Sequence, residues 1–365
     1  MHRARFFSGF ITVTIFLLLI FTNLSAASGS LDIPVKDYGL SFGNSHNFTG
    51  LRFNWSDDGI GEINGLNLTF WKPGSNKGGV INGISCGVIG PDAGEMNGIN
   101  FGLVSVTGGD INGISSGLVG MAVDNIDGIA FSLVGIAAED VNGIAIGGIG
   151  LATEDLNGIA FGAIGMASEN VTGIAAGGIG LATSSLKGFG FGGVGMAADE
   201  ITGIGLGTVG IAADDFMGFG FGGIGLATDD FTGIGIGGIG LAADEFTGVG
   251  IGGIGLAADV FTGLSLTGIG LGTDDFVGLG ISGLGIRNGE TTGAIFSVGW
   301  NWMDELNGFS LSTLNNVRER QNGLTLGLVN ITDDLHGVQL GIVNWAGNNH
   351  GIRKLLPLVN FNFSD

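Results

Sequence analysis

A glycine recurs every 15 residues through most of this chain, and that interval limits the fold more than any other feature. It falls at Gly83, Gly98, Gly113, Gly128, Gly143, Gly158, Gly173, Gly188, Gly203, Gly218, Gly233, Gly248, Gly263, Gly278, Gly293, Gly308 and Gly323. Gly50 and Gly65 precede the series, and Gly337 and Gly351 follow it. A constant period of this length marks a repeat architecture, in which each unit is stable only against its neighbours. Glycine supplies 77 of 365 residues but proline only 4, which excludes collagen. The 44% hydrophobic content and mean hydropathy of +0.49 exclude a flexible linker.

In the unit from Gly143 to Asn157 the large apolar residues are Ile144, Ile146, Ile149, Leu151 and Leu156; in the next they are Ile159, Phe161, Ile164, Met166 and Val171. Two-residue spacing within each pair is strand periodicity. Dense glycine makes a helix costly, at about 1 kcal/mol per residue. If both pairs of a unit enter one core, the chain turns corners at Gly147-Gly148 and between Ala152 and Asp155. The expected fold is therefore all-β: a β-solenoid of about 15 residues per coil and roughly 20 coils. The alternative is an up-and-down outer-membrane β-barrel, one strand and turn per repeat. Val359, Phe361 and Phe363, alternating with Asn360 and Asn362, resemble its last strand. Under the solenoid reading, two sides would be bare and face outward: Gly190, Gly205, Gly220, Gly235 and Gly250 on one, Gly195, Gly210, Gly225, Gly240 and Gly255 on another.

The chain divides into four segments. Residues 1–27 read as a signal peptide: Arg3 and Arg5, an apolar run from Phe10 to Phe21, then Ser25-Ala26-Ala27. Residues 28–82 are atypical or capping repeats, 83–292 the regular array, and 293–365 aromatic, atypical or capping repeats. Trp55, Trp71, Trp300, Trp302 and Trp345 all lie outside the regular array. Solenoid ends expose core and strand edges, so capping is the first reading of these ends and partner binding the second.

Three units, Gly323-Leu-Thr-Leu-Gly-Leu-Val-Asn-Ile331, Gly337-Val-Gln-Leu-Gly-Ile-Val-Asn-Trp345 and Gly98-Ile-Asn-Phe-Gly-Leu-Val-Ser-Val106, resemble the G-L-x-L-G-L-[VI]-N-I repeats of a family of bacterial surface-repeat proteins. The resemblance implies a secreted or outer-surface protein without a known enzymatic role, and carries over no functional residues. Central units depart from it, with Gly148, Ala163 or Gly178 for the second Leu and Gly150, Gly165 or Gly180 for the Asn.

A net charge of −21 excludes nucleic acid as a partner, since between Ile84 and Ile286 the sole basic residue is Lys187. Acidic pairs recur at one place in the repeat: Glu139 and Asp140, Glu154 and Asp155, Asp199 and Glu200, Asp214 and Asp215, Asp229 and Asp230, Asp244 and Glu245, Asp274 and Asp275. Stacked carboxylates repel or recruit cations, and calcium takes oxygen ligands. A solvated corner that keeps the rod soluble is the plainer account, because the calcium β-roll pattern is only half matched. Beside the acids, Asn97, Asn112, Asn142 and Asn157, then Thr172, Thr202 and Thr232, would stack as a structural ladder. The outer faces lack the Thr ranks of ice-binding β-helices. Nothing catalytic stands out: His46, His336 and His350 have no triad or metal spacing, and Gly188-Phe-Gly-Phe-Gly-Gly193 lacks the strand-then-helix context of nucleotide sites. Cys86 occupies a place read as inward, and as the lone cysteine it forms no internal disulfide. The expectation is an exported, non-enzymatic protein of the cell surface or outer membrane, structural or adhesive, without a resident cofactor. Its partner would be a surface polymer, the outer membrane or another protein.

Overall fold

The computed structural model describes residues 29–363, and the signal-peptide segment lies outside the described residues. The chain forms two compact units, 29–177 and 178–363. Both are stacks of parallel β-coils. In the first, Gly83 pairs with Gly98, Gly98 with Gly113 and Gly113 with Gly128. In the second, Gly203 pairs with Gly218, Gly218 with Gly233 and Gly233 with Gly248. The fold is a β-solenoid with a coil of about 15 residues. The barrel alternative fails because up-and-down barrels pair neighbouring strands antiparallel, whereas these ladders are parallel. Among the described residues antiparallel pairing occurs only at the two ends, Ser30–Val35 on Tyr38–Gly43 and Val329–Ala346 on Leu355–Asn362.

The invariant glycine is required where it stands. Gly158 has φ +141°, a region L side chains avoid, and a Cβ there would sit 2.1 Å from the carbonyl oxygen of Gly143 one coil earlier. One corner lies at Gly148–Ile149, between the strands Asp140–Gly147 and Gly150–Gly162, a single residue from its expected place. A second interrupts the ladder between Thr153 and Asp155, as expected.

Side-chain directions depart from expectation. Leu151 and Leu156 enter the core, as do Met166 and Val171. Ile146 and Ile149 do not, and neither do Ile159, Phe161 and Ile164; Ile149 is 48% exposed where Leu151 is 3%. The inward residues are instead the small ones between, Ala145, Ala160 and Ala175. The bare side assigned to Gly190, Gly205, Gly220, Gly235 and Gly250 is thus interior. The reason is volume. A fifteen-residue coil encloses too little space for five large side chains at native packing density. A Cβ on Gly205 would lie 2.6 Å from Met196 Cε and 3.0 Å from Phe216, and one on Gly235 would lie 2.8 Å from Leu241 Cδ1. In this stretch the facing row enlarges to Phe216, Phe231, Phe246, Phe261 and Phe276, whose rings stack at centroid distances of 4.6–5.4 Å. Aromatic volume on one wall is matched by its absence on the other.

The ends close with polar cores. Near the N-terminus Arg52 is fully buried, donating to Asp57 and to Asn67 Oδ1 at 2.7 Å. Near the C-terminus Asn315 donates to Asn330 at 2.8 Å and Asn330 to Asn344 at 2.7 Å. These asparagines include the Asn of the quoted repeat motif, and they point inward. Pro34 and Pro357 sit on the terminal strands, where a missing N–H blunts an open edge.

Candidate interaction surface

Alternation along each strand turns the large apolar residues outward beside the small inward ones. In the unit 29–177 this creates an exposed row through Ile99, Ile114, Ile129 and Ile159, and a second through Phe101, Phe131 and Phe161. At the adjoining corner Leu103, Leu118 and Leu133 are exposed, followed by Val104, Val119, Val134, Ile149 and Ile164. In the unit 178–363 the same rows hold Ile204, Ile234, Phe221 and Ile281, with Ile224, Ile239, Ile254 and Ile269 at the corner. There the leucine place is taken by Gly223, Gly238, Gly253 and Gly268. None of these rows carries a charged residue from Ile84 to Leu284. Singly exposed apolar residues are ordinary; uncharged rows of them on successive coils are not.

Past the corner the surface is bare, as expected for the side holding Gly195, Gly210, Gly225, Gly240 and Gly255. A Cβ on Gly225 would meet only the Gly240 carbonyl oxygen, at an ordinary 3.6 Å, so packing does not demand glycine there. Exposed Ala197, Ala212, Ala227 and Ala242 continue this smooth strip to the acidic corner.

The acids occupy consecutive rungs: Asp140 is level with Asp155, Glu200 with Asp215, Asp215 with Asp230, and Asp230 with Glu245. The first residues of these pairs, Glu139, Glu154, Asp199, Asp214, Asp229, Asp244 and Asp274, stand beside them on the same corner. Where an amide enters the row it bridges, as Asn170 Nδ2 donates to Asp155 Oδ1 at 2.7 Å and Asn125 Nδ2 to Asp110 Oδ1 at 2.6 Å. Among the described residues no three His, Cys, Asp or Glu side chains converge as metal ligands would. The neighbouring asparagine ladder is continuous, Asn112 donating to Asn97, Asn97 to Asn82 and Asn82 to Asn64, each at 2.8 Å.

Cys86 belongs to the outward row and is half-buried, not in the core, while its neighbour Ser85 points inward. Burial pushes its thiol pKa up, which lowers its reactivity. Asp57 is pushed up by burial, but the Arg52 guanidinium and hydrogen bonds from Thr69, Asn54 and Asn67 outweigh this and hold it below the usual carboxylate value. Asp92 is raised, mainly by burial. Hydrophobicity alone does not reveal the apolar rows, because it marks burial only where the surface is polar. The available signal was the covariation of Phe at Phe216–Phe276 with glycine at Gly205–Gly250.

No family model, curated protein or solved structure matches the chain.

Proposed function

We propose that this is an exported, non-catalytic repeat protein of the cell surface or outer membrane, acting as a structural or adhesive element through its repeated apolar face. One observation carries the reading: large aliphatic and aromatic side chains form uncharged outward rows, while alanine or glycine takes the inward place between them. A monomer with no partner gains nothing from that arrangement, since exposed apolar area of this extent favours association. The basic, then apolar, then small-residue start of the chain supports export. The acidic corner keeps an otherwise apolar repeat soluble until its partner is met.

The test places lysine on the face. The variant Val134→Lys, Ile149→Lys, Ile239→Lys, Ile254→Lys should fold, because all four side chains point to solvent. In the producing cell it should shift from the surface-bound fraction to the medium by on the order of tenfold, as interface anchors do when replaced. Unchanged retention of a correctly folded variant would sink the reading.

A further inference from the structure

The face is richest in the unit 29–177, where Leu103, Leu118 and Leu133 fill the corner place that glycine occupies at Gly148 and in much of the other unit. Phe101, Leu103, Val104, Phe131, Leu133 and Val134 are each 38–50% exposed, on two coils separated by the one that carries Ser116. Nineteen apolar side chains from Ile84 to Ile174 are exposed in this way, a surface of roughly 1,500 Å² by ordinary side-chain areas. A stable protein interface needs about 800 Å² from each partner.

The chemistry of the face narrows the occupant. Its rows hold no charge and almost no hydrogen-bonding side chain, only Ser116 and Cys86 interrupting them. A polysaccharide would need polar groups and stacking aromatics such as Trp or Tyr, which segment 84–174 lacks. A lipid surface is met by faces bordered with Lys, Arg and Trp. The same segment has no Lys, Arg or Trp, and its charges are all acidic. What remains is an equally apolar, equally regular β-surface. The chain itself supplies one, with rows at the same spacing and with its acidic residues outside the rows.

We propose that the apolar face of the unit 29–177 packs on the same face of a second copy, sheet against sheet at the usual ~10 Å separation. This rests on the adhesive reading above and names its partner. The interface is isologous, so each substituted residue is lost from both sides at once. Because the copies carry like charge, added salt strengthens the pair by screening.

The experiment is sedimentation equilibrium of the purified protein, beside the variant Phe101→Asp, Phe131→Asp and a control substituted at the far corner, Asp155→Asn. Neutral and anionic phospholipid vesicles are tested by co-sedimentation. The expected result is a dimer at about 1 μM, tighter in higher salt, retained by the control and weakened about a hundredfold or more in the variant. Circular dichroism checks that the variant keeps its β-structure; if it does not, the single substitution Val134→Ser, on a side chain already at the surface, is read instead. A protein that is monomeric and does not bind vesicles overturns this inference, and the adhesive reading falls with it if the lysine variant above is also retained at the cell surface. A monomer that binds vesicles overturns self-association alone and leaves adhesion standing. A dimer indifferent to the face substitutions overturns the assignment of the surface.

Discussion

Gly225, Gly233 and Gly235 lie within eleven residues of one another and have three different reasons to be glycine. Gly233 has φ +138°, and a Cβ on it would press on the Gly218 carbonyl oxygen at 2.0 Å. Gly235 has room only if the Leu241 terminus and the Phe246 and Phe231 rings give way. Gly225 faces solvent with nothing closer than 3.6 Å. Alanine at Gly233 should therefore cost about 3 kcal/mol or more, combining backbone strain with a clash against backbone. Alanine at Gly235 should cost about 1–3 kcal/mol, because side-chain ends can partly yield. At Gly225 it should be neutral or stabilising by about 0.4–1 kcal/mol, through the unfolded chain. Urea denaturation of the three variants checks the order, and equal losses at all three would contradict the assignment of Gly235 to the core. Replacing Phe246 by Ala should cost about 3–5 kcal/mol in the same assay, since its ring is stacked on both sides and its removal leaves a cavity.

At the scale of single coils, the sequence announced strands, corners and period, but not which way residues face. Alternation was visible in Ile144 and Ile146, and both corners lay within a residue of their expected places. Facing is not legible in the pattern because hydrophobicity marks a core only when the surface is polar, and here the outward rows are the more apolar ones. The terminal coils were less legible still. Nothing in their spacing reveals that Arg52 is buried with Asp57, Asn67 and Asn54 around it. Removing one member of such a pair strands a buried charge, so Arg52→Met should cost about 3–5 kcal/mol in these first coils. The pH dependence follows from the lowered pKa of Asp57. A carboxylate held below its unfolded value stabilises the fold above that unfolded value, about 4, and the contribution disappears as pH falls through the folded one. Hydrogen exchange should show residues 45–69 losing protection first on acidification. In Asp57→Asn that protection should already be reduced at neutral pH and show no acid step. An acid step unchanged by the substitution would assign the sensitivity elsewhere.

At the scale of the molecule, the period itself needs a cause, and the exceptions supply it. From Gly323 to Gly337 the step is 14 residues, yet Leu314 to Leu326 still pair with Val329 to Leu340. The missing residue comes out of the acidic corner, where the partners change from Val317 with Thr332 to Arg320 with Asp334. One coil earlier the register shifts at the same corner, between Met303 and Glu305. Coil length is therefore set by the strands, and corners absorb a residue without disturbing the ladder. This divides single-residue deletions into two classes. Deleting Asp229, at an exposed corner of the unit 178–363, should leave a folded protein within about 1–2 kcal/mol of the parent. Deleting Thr232 is different, because it lies between inward Phe231 and the invariant Gly233. Every residue from there to the next corner would change sides, driving Ile234 and Ile236 into the space that Gly235 keeps open. That core is already filled by stacked phenylalanines, so the deletion should abolish cooperative unfolding or send the protein into aggregates. Thermal melts of the two deletions, followed by far-ultraviolet circular dichroism, decide the matter. Equal tolerance would mean that strands yield as readily as corners, and that facing is not fixed by the narrow core.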